Sequence, residues 1–193
     1  MSTTTSDVEL VGDETALNIA RAALFASLMG AFAYVSFPYP LSPAPVTLQV
    51  LGVFLAGLFL GPIWGGAAMV VYLLAGAVGA PVFSGGAAGV GVLLGPTGGY
   101  LLSYPIAAFL VGAIAHGGLD LGALGTASVP RLLAAMAVAV VVIYAAGVSF
   151  LYYNLEMTVR TAVVTGALVF VPAELLKMAA AIGIVRSDAI RAA

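Results

Sequence analysis

Residues 17–184 hold only seven Asp, Glu, Lys or Arg side chains, and the long apolar stretches among them are divided by proline and glycine rather than by charge. That scarcity constrains the fold more than any motif does. A water-soluble domain draws on about 25% charged residues. This chain of 193 residues has 7% charged and 63% hydrophobic residues, with a mean hydropathy of +1.18. A soluble fold of this size has no means of covering so much apolar surface, whereas a bilayer removes the need. An all-α integral membrane protein is expected.

The remaining composition excludes several chemistries. There is no cysteine, which removes disulfides, thiol catalysis and thiolate metal sites. A single histidine, His116, rules out a His-rich metal centre, so no metal and no cofactor are expected. The net charge of -2 and the lack of a basic stripe speak against nucleic acid as a partner. No GxxxxGK[ST] sequence occurs, so any use of ATP must come from another subunit.

Helix length follows from membrane thickness. A span needs about 20 apolar residues, because each residue rises about 1.5 Å through a core about 30 Å thick. Residues 1–15 are polar and acidic (Asp7, Glu9, Asp13, Glu14) and read as a disordered cytoplasmic tail. They lack the positive start of a secretory signal, so the first apolar segment is read as a retained helix. The rest, 16–193, is expected to form one six-helix membrane domain. Its first helix covers 17–37 and stops at Pro38, and the Pro38–Pro45 segment, with four prolines, cannot be helical. A second helix runs from Thr47 to a tight turn at Gly61-Pro62, and a third covers about 63–79. Residues 79–99 form a glycine-rich outer loop with almost no charge. Irregular backbone of this kind must fold against protein or line a cavity if it lies at membrane depth. A fourth helix is expected over 99–115 and a fifth over 130–152.

The last segment is decided by Pro172, which suits a first helical turn and breaks a helix interior. A short outer helix over 157–168 and a sixth spanning helix over 172–190 follow. Glu174 then lies in the first turn, where the helix dipole favours an acid. Lys177 stands one turn later on the same face. With the N-terminus in the cytoplasm, Arg21, Arg131, Arg186 and Arg191 fall inside and Arg160 outside, in accord with the positive-inside rule. The C-terminus is then also cytoplasmic. The proline loop, the glycine loop and the start of the sixth helix all open outward.

Glu174 and Lys177 are the sharpest candidate site. An ionisable pair in an apolar membrane segment marks function by default, although an i, i+3 pair can also merely neutralise itself. A carboxylate accepts and an ammonium donates, which suits a small ligand offering both N–H groups and a carbonyl or carboxylate. Gln49 is either a ligand contact or a polar bridge between helices. The glycine loop either lets backbone amides approach a ligand or packs closely. Ala22, Ala26 and Gly30 on the first helix, and Gly57 with Gly61 on the second, serve bundle packing or docking to another subunit. Trp64, Tyr72, Tyr100, Tyr104, Tyr152 and Tyr153 take interfacial positions, and His116 and Asp120 read as solvated residues of an inner loop.

Five stretches stand out: Pro43-Ala44-Pro45-Val46-Thr47-Leu48-Gln49, Leu55-Ala56-Gly57 to Leu60-Gly61-Pro62, Gly79-Ala80-Pro81-Val82-Phe83, Gly95-Pro96-Thr97-Gly98-Gly99-Tyr100, and Pro172-Ala173-Glu174-Leu175-Leu176-Lys177. Together they resemble the biotin-specific substrate-binding subunits of energy-coupling factor transporters, the BioY family. Their order and spacing cover residues 17–190. The resemblance implies a six-helix subunit of the cell membrane with an outward-facing biotin pocket. It also implies a transmembrane coupling subunit and two cytoplasmic ATPases as partners, docking partly on Ala22 and Ala26. Glu174 and Lys177 match the family's acidic-x-x-Lys pair at the polar head of biotin, and Gln49, Phe83, Gly98, Gly99 and Tyr100 join the implied ligand set. Lys177 is open to either the ureido carbonyl or the valerate carboxylate. The family usually has Asp in place of Glu174, and some members carry polar or basic side chains where Ala87, Ala88 and Leu101 stand here. The competing readings are a binding subunit for another vitamin, a membrane enzyme using Glu174 as acid or base, and an assembly subunit.

Overall fold

The computed structural model describes residues 12–122 and 124–187. Helix α1, Asp13–Tyr34, opens with Asp13 and Glu14 in its first turn, where acids offset the helix dipole. The helix therefore begins inside the segment expected to be tail, and residues 1–11 lie outside the described part, as does Arg191. Two short strands follow, β1 (Ser36–Phe37) and β2 (Val46–Thr47), paired antiparallel with Ser36 opposite Thr47 and Phe37 opposite Val46. They clamp the proline segment into a closed loop. Strands of two residues leave no periodicity to read in a sequence.

Helix α2, Gln49–Ala77, contains a sharp break at Gly61, with φ 72° and ψ -175°. This conformation is available to glycine, and Pro62 then restarts the helix. The break folds α2 back on itself. Gln49 Nε2 donates to the Tyr72 hydroxyl at 2.7 Å, whereas a straight helix would separate residues so far apart in sequence by about 35 Å. Small residues allow the two limbs to touch: a Cβ on Gly65 would stand 2.9 Å from the Ala56 carbonyl oxygen. The turn expected at Gly61-Pro62 is therefore present, between two helical limbs.

The glycine-rich segment holds a 3-10 turn (Ser84–Gly86) and one short helix, α3 (Val90–Leu94). Helix α4 (Gly98–His116) packs between α2 and α5 (Val129–Asn154). Helix α6 (Val159–Gly166) is capped by Thr158, whose hydroxyl accepts from the Thr161 N–H at 3.2 Å. A 3-10 turn, Leu168–Phe170, leads into α7, Val171–Arg186. Pro172 stands in its first turn, together with Glu174.

Among the described residues, five segments are long and apolar enough to cross a membrane: Asp13–Tyr34, Gln49–Ala77, Gly98–His116, Val129–Asn154 and Val159–Arg186. The third helix of the sequence expectation, about 63–79, is the second limb of α2, beyond the break at Gly61. Large apolar side chains point outward from these segments, among them Leu24, Leu74, Ile106, Val141 and Leu176, each more than half exposed. Such a belt is unfavourable against water and costs nothing against lipid chains. The interior is filled by Met29, Phe54, Leu58, Met69, Leu132 and Ile143.

The end of the bundle holding the α2 break is tied by polar contacts. His116, expected to be solvated, is part-buried: Nε2 lies 2.8 Å from the Leu58 carbonyl and Nδ1 3.0 Å from the Gly122 nitrogen. Arg186 donates to the Gly125 carbonyl at 2.6 Å and also to that of Ala127. Asp120 is exposed, as expected.

Candidate ligand-binding site

At the opposite end, the proline loop, the glycine segment and the helices α4, α5 and α7 enclose a cavity of about 230 Å³. It belongs to the class of largely apolar cavities with a few fixed polar groups. The charged groups of the wall come from α7. Starting that helix at Pro172 puts Glu174 and Lys177 on one face, and both line the cavity. They are 2% and 6% exposed, and Lys177 Nζ donates to Glu174 Oε1 at 2.7 Å. Tyr144, from α5, donates to the same oxygen at 2.8 Å. The second oxygen, Oε2, is buried and has no hydrogen-bond partner among the described residues.

That arrangement is costly unless something else completes it. Buried ions lose their hydration, and mutual attraction repays the loss only when the remaining lone pairs are satisfied. Buried polar atoms without partners are rare in native structures and call for an explanation. A ligand carrying an N–H donor would supply one.

Aromatic rings shape the rest of the wall. Tyr144 stacks on Phe170 at 5.9 Å with an interplanar angle of 19°, and meets Tyr100 edge-on at 5.8 Å. Phe83 is fully buried and meets Tyr72 edge-on at 5.5 Å. Tyr100 gives its hydroxyl to the Gly166 carbonyl at 2.7 Å, which ties α4 to α6 and leaves its ring for the cavity.

The structure brings Gln49, Phe83, Tyr100, Glu174 and Lys177 together in one wall, with Ala87 and Leu101 beside them. Gln49 is a polar bridge as well: its Oε1 accepts from the Thr47 hydroxyl at 3.0 Å while its amide holds Tyr72, which in turn donates to Val82 at 3.1 Å. That chain pins the glycine segment to both limbs of α2. Gly98 and Gly99 stand outside the wall. A Cβ on Gly98 would lie 1.9 Å from the Leu93 carbonyl oxygen, and one on Gly99 would lie 2.3 Å from that of Ala146. Both glycines serve close packing of backbone on backbone.

Ala22 and Ala26 are buried within this chain, 4% and 8% exposed. Their side of α1 packs on the bundle, so they offer no free surface to another subunit. The outward side of α1 carries other small residues, Ala16, Ala20, Ala23 and Ser27, all exposed. Tyr72, Tyr100 and Tyr104 are buried rather than interfacial, because each faces the bundle from its helix. Three further wall residues are Tyr104, which the sequence placed only at the interface, and Tyr144 and Phe170, which it did not mark. The i, i+4 spacing of Tyr100 and Tyr104 was the available signal for one of them. Tyr144 had none beyond the general need of a buried tyrosine hydroxyl for a partner.

Apolar helices with an outward apolar belt around a buried, polar-tipped cavity define a membrane-embedded small-molecule-binding protein. The sequence profile of the BioY family matches residues 3–192, and the chain belongs to that family. It is 36% identical to the biotin transporter BioY of Thermotoga maritima over 161 residues, covering 83% of this chain and 89% of that protein. It is 34% identical over 158 residues to the biotin transporter BioY of Rhizobium etli, with coverage of 80% and 83%. The fold matches a crystal structure of the S-component for biotin from an ECF-type ABC transporter with a TM-score of 0.81, at 24% identity and covering 92% and 93% of the two chains.

Proposed function

We propose that this chain is the biotin-binding membrane subunit of an uptake system driven by an energy-coupling factor module. The observation that carries the reading is the buried, unpartnered Oε2 of Glu174 in an aromatic cavity. Biotin presents two ureido N–H groups and a carbonyl at one end, with an apolar thioether ring and chain behind them. Glu174 accepts from the ureido N–H groups, Lys177 donates to the ureido carbonyl, and Phe83, Tyr100, Tyr104 and Phe170 enclose the ring. Tyr144 is a positioning residue: by bonding Oε1 it leaves Oε2 for the ligand.

The partners in this reading are a transmembrane coupling subunit and two cytoplasmic ATPases, and the membrane is the cell membrane. Both α2 limbs count as crossings, which gives six, with both termini in the cytoplasm. Arg131 and Arg186 support that orientation. Arg131 lies beside Gly117, about 20 Å along α5 from Tyr144, so the cavity opens outward. Docking uses the outward side of α1, around Ala20, and cross-linking from a cysteine placed there to the coupling subunit tests it.

The decisive experiment is equilibrium binding of labelled biotin to purified protein. Glu174→Gln replaces an acceptor by an amide of the same shape and removes the charge. Hydrogen bonds to charged groups contribute about 1.5–3 kcal/mol, so affinity should fall roughly ten- to hundredfold. Unchanged affinity would remove Glu174 from the site, and a parent chain that binds no labelled biotin would remove the biotin reading.

A further inference from the structure

Two charged side chains, Glu174 and Lys177, stand in the cavity wall, and they are joined to each other at 2.7 Å. The wall is therefore electrically balanced before any ligand arrives. The other described cations lie elsewhere: Arg21 on α1, Arg160 on the exposed start of α6, and Arg131 and Arg186 at the far end of the bundle. A ligand carboxylate brought deep into this cavity would find no free counter-charge, and an unpaired buried charge is strongly disfavoured. If it competed for Lys177, it would leave Glu174 as a second unpaired acid in the same buried place.

Burial is graded along the wall. Gln49, Tyr104, Glu174 and Lys177 are buried, whereas Ser84, Ala87 and Thr97, from the glycine segment, are half-buried. The polar groups at this shallower end are neutral hydroxyls, and the Ser84 hydroxyl already shares a hydrogen bond with that of Ser36 at 2.9 Å. A hydroxyl bonds a carboxylate, an amide or an ester. Past Ala44 and Pro45 the proline loop forms a second, more open cleft of about 530 Å³, lined by Tyr34, Ser36, Tyr39 and Gly85 and again without a charged wall residue.

Building on the biotin reading, we propose that this chain recognises the ureido head alone and is indifferent to charge on the tail. It therefore captures amides of the valerate carboxyl, including the lysine amide, as readily as the free acid. The head lies at Glu174 and Lys177. The tail runs toward Ser84 and Ala87, where a carboxylate keeps its water and an extended amide enters the proline-loop cleft.

The test is competition against labelled biotin on purified protein, using unlabelled biotin, its primary amide and its amide with the lysine ε-amino group. Both amides should compete within about threefold of the free acid, and amides weaker by roughly thirtyfold or more would overturn the proposal. Should neither the acid nor the amides bind, the biotin reading itself fails. Binding by the acid alone overturns only the indifference to the tail. Ala87→Lys supplies a second measurement, because it adds a cation at the shallow end. This variant should favour the acid over the amides by roughly tenfold, and an unchanged ratio would overturn the placement of the tail.

Discussion

His116 Nε2 lies 2.8 Å from the carbonyl oxygen of Leu58, the acceptor that Pro62 leaves without a donor. In an unbroken helix the N–H of residue 62 would bond that carbonyl, and proline has none. With a proton on Nε2 the imidazole donates to Leu58, while Nδ1 lies 3.0 Å from both the nitrogen and the carbonyl oxygen of Gly122. One side chain thus closes the break in α2 and fastens the loop after α4 to it.

His116→Ala should therefore lower stability by about 1–3 kcal/mol, the cost of a buried polar group left unmade. Thermal unfolding in detergent reads this directly. Biotin affinity should not change, since the cavity lies at the other end of the bundle. A variant that melts with the parent chain would show that the Leu58 carbonyl finds another donor.

Lys177→Met leaves Glu174 as a lone buried acid, which costs about 3–5 kcal/mol when a buried pair is broken from one side. Replacing both residues, as Glu174→Gln with Lys177→Met, removes the ion pair together and should recover much of that loss. Neither variant should retain biotin. The comparison is a pair of unfolding curves, and a double variant less stable than the single one would contradict the assignment.

Tyr144→Phe deletes the hydroxyl 2.8 Å from Glu174 Oε1 and keeps the ring stacked on Phe170. A hydrogen bond to a charged group is worth about 1.5–3 kcal/mol. The loss should lower the melting temperature, and biotin affinity should fall as well, because the carboxylate is no longer held with Oε2 free for the ligand. Equal affinity would show that the lysine alone orients the carboxylate.

Gly147 touches Tyr100 so closely that a Cβ there would lie 2.2 Å from its Cε1. Gly147→Ala should cost about 1–3 kcal/mol through overpacking and shift Tyr100 off the Gly166 carbonyl. The control is Gly183→Ala on α7, where a Cβ would meet no described atom within 4 Å beyond its chain neighbours and its own helix backbone. It should be neutral or slightly stabilising in the same melting experiment.

Proline and glycine made much of the outline legible. Pro172 marked the start of α7 and so put Glu174 and Lys177 on one face, because an i, i+3 relation is fixed by helix geometry alone. Gly61-Pro62 marked a turn for the same local reason. The faces of the long helices were not legible. In α1, small residues occur on both sides, and the fold buries Ala22 and Ala26 while leaving Ala20 exposed. The glycines Gly98 and Gly99 likewise gave no sign of whether they faced a ligand or a neighbouring backbone.

What the amino-acid order decided by itself was the solvent, the breaks between helices and the ion pair on α7, since each depends on neighbours along the chain. Tertiary structure decided which hydroxyl holds Glu174, which residue restores the bond lost at Pro62, and which side of α1 faces outward. The physical reason is that lipid and protein interior are both apolar here, so a helix that is hydrophobic all round carries no stripe to say where it will pack. Long-range partners such as Tyr144 and Glu174 exist only once the bundle has chosen its faces.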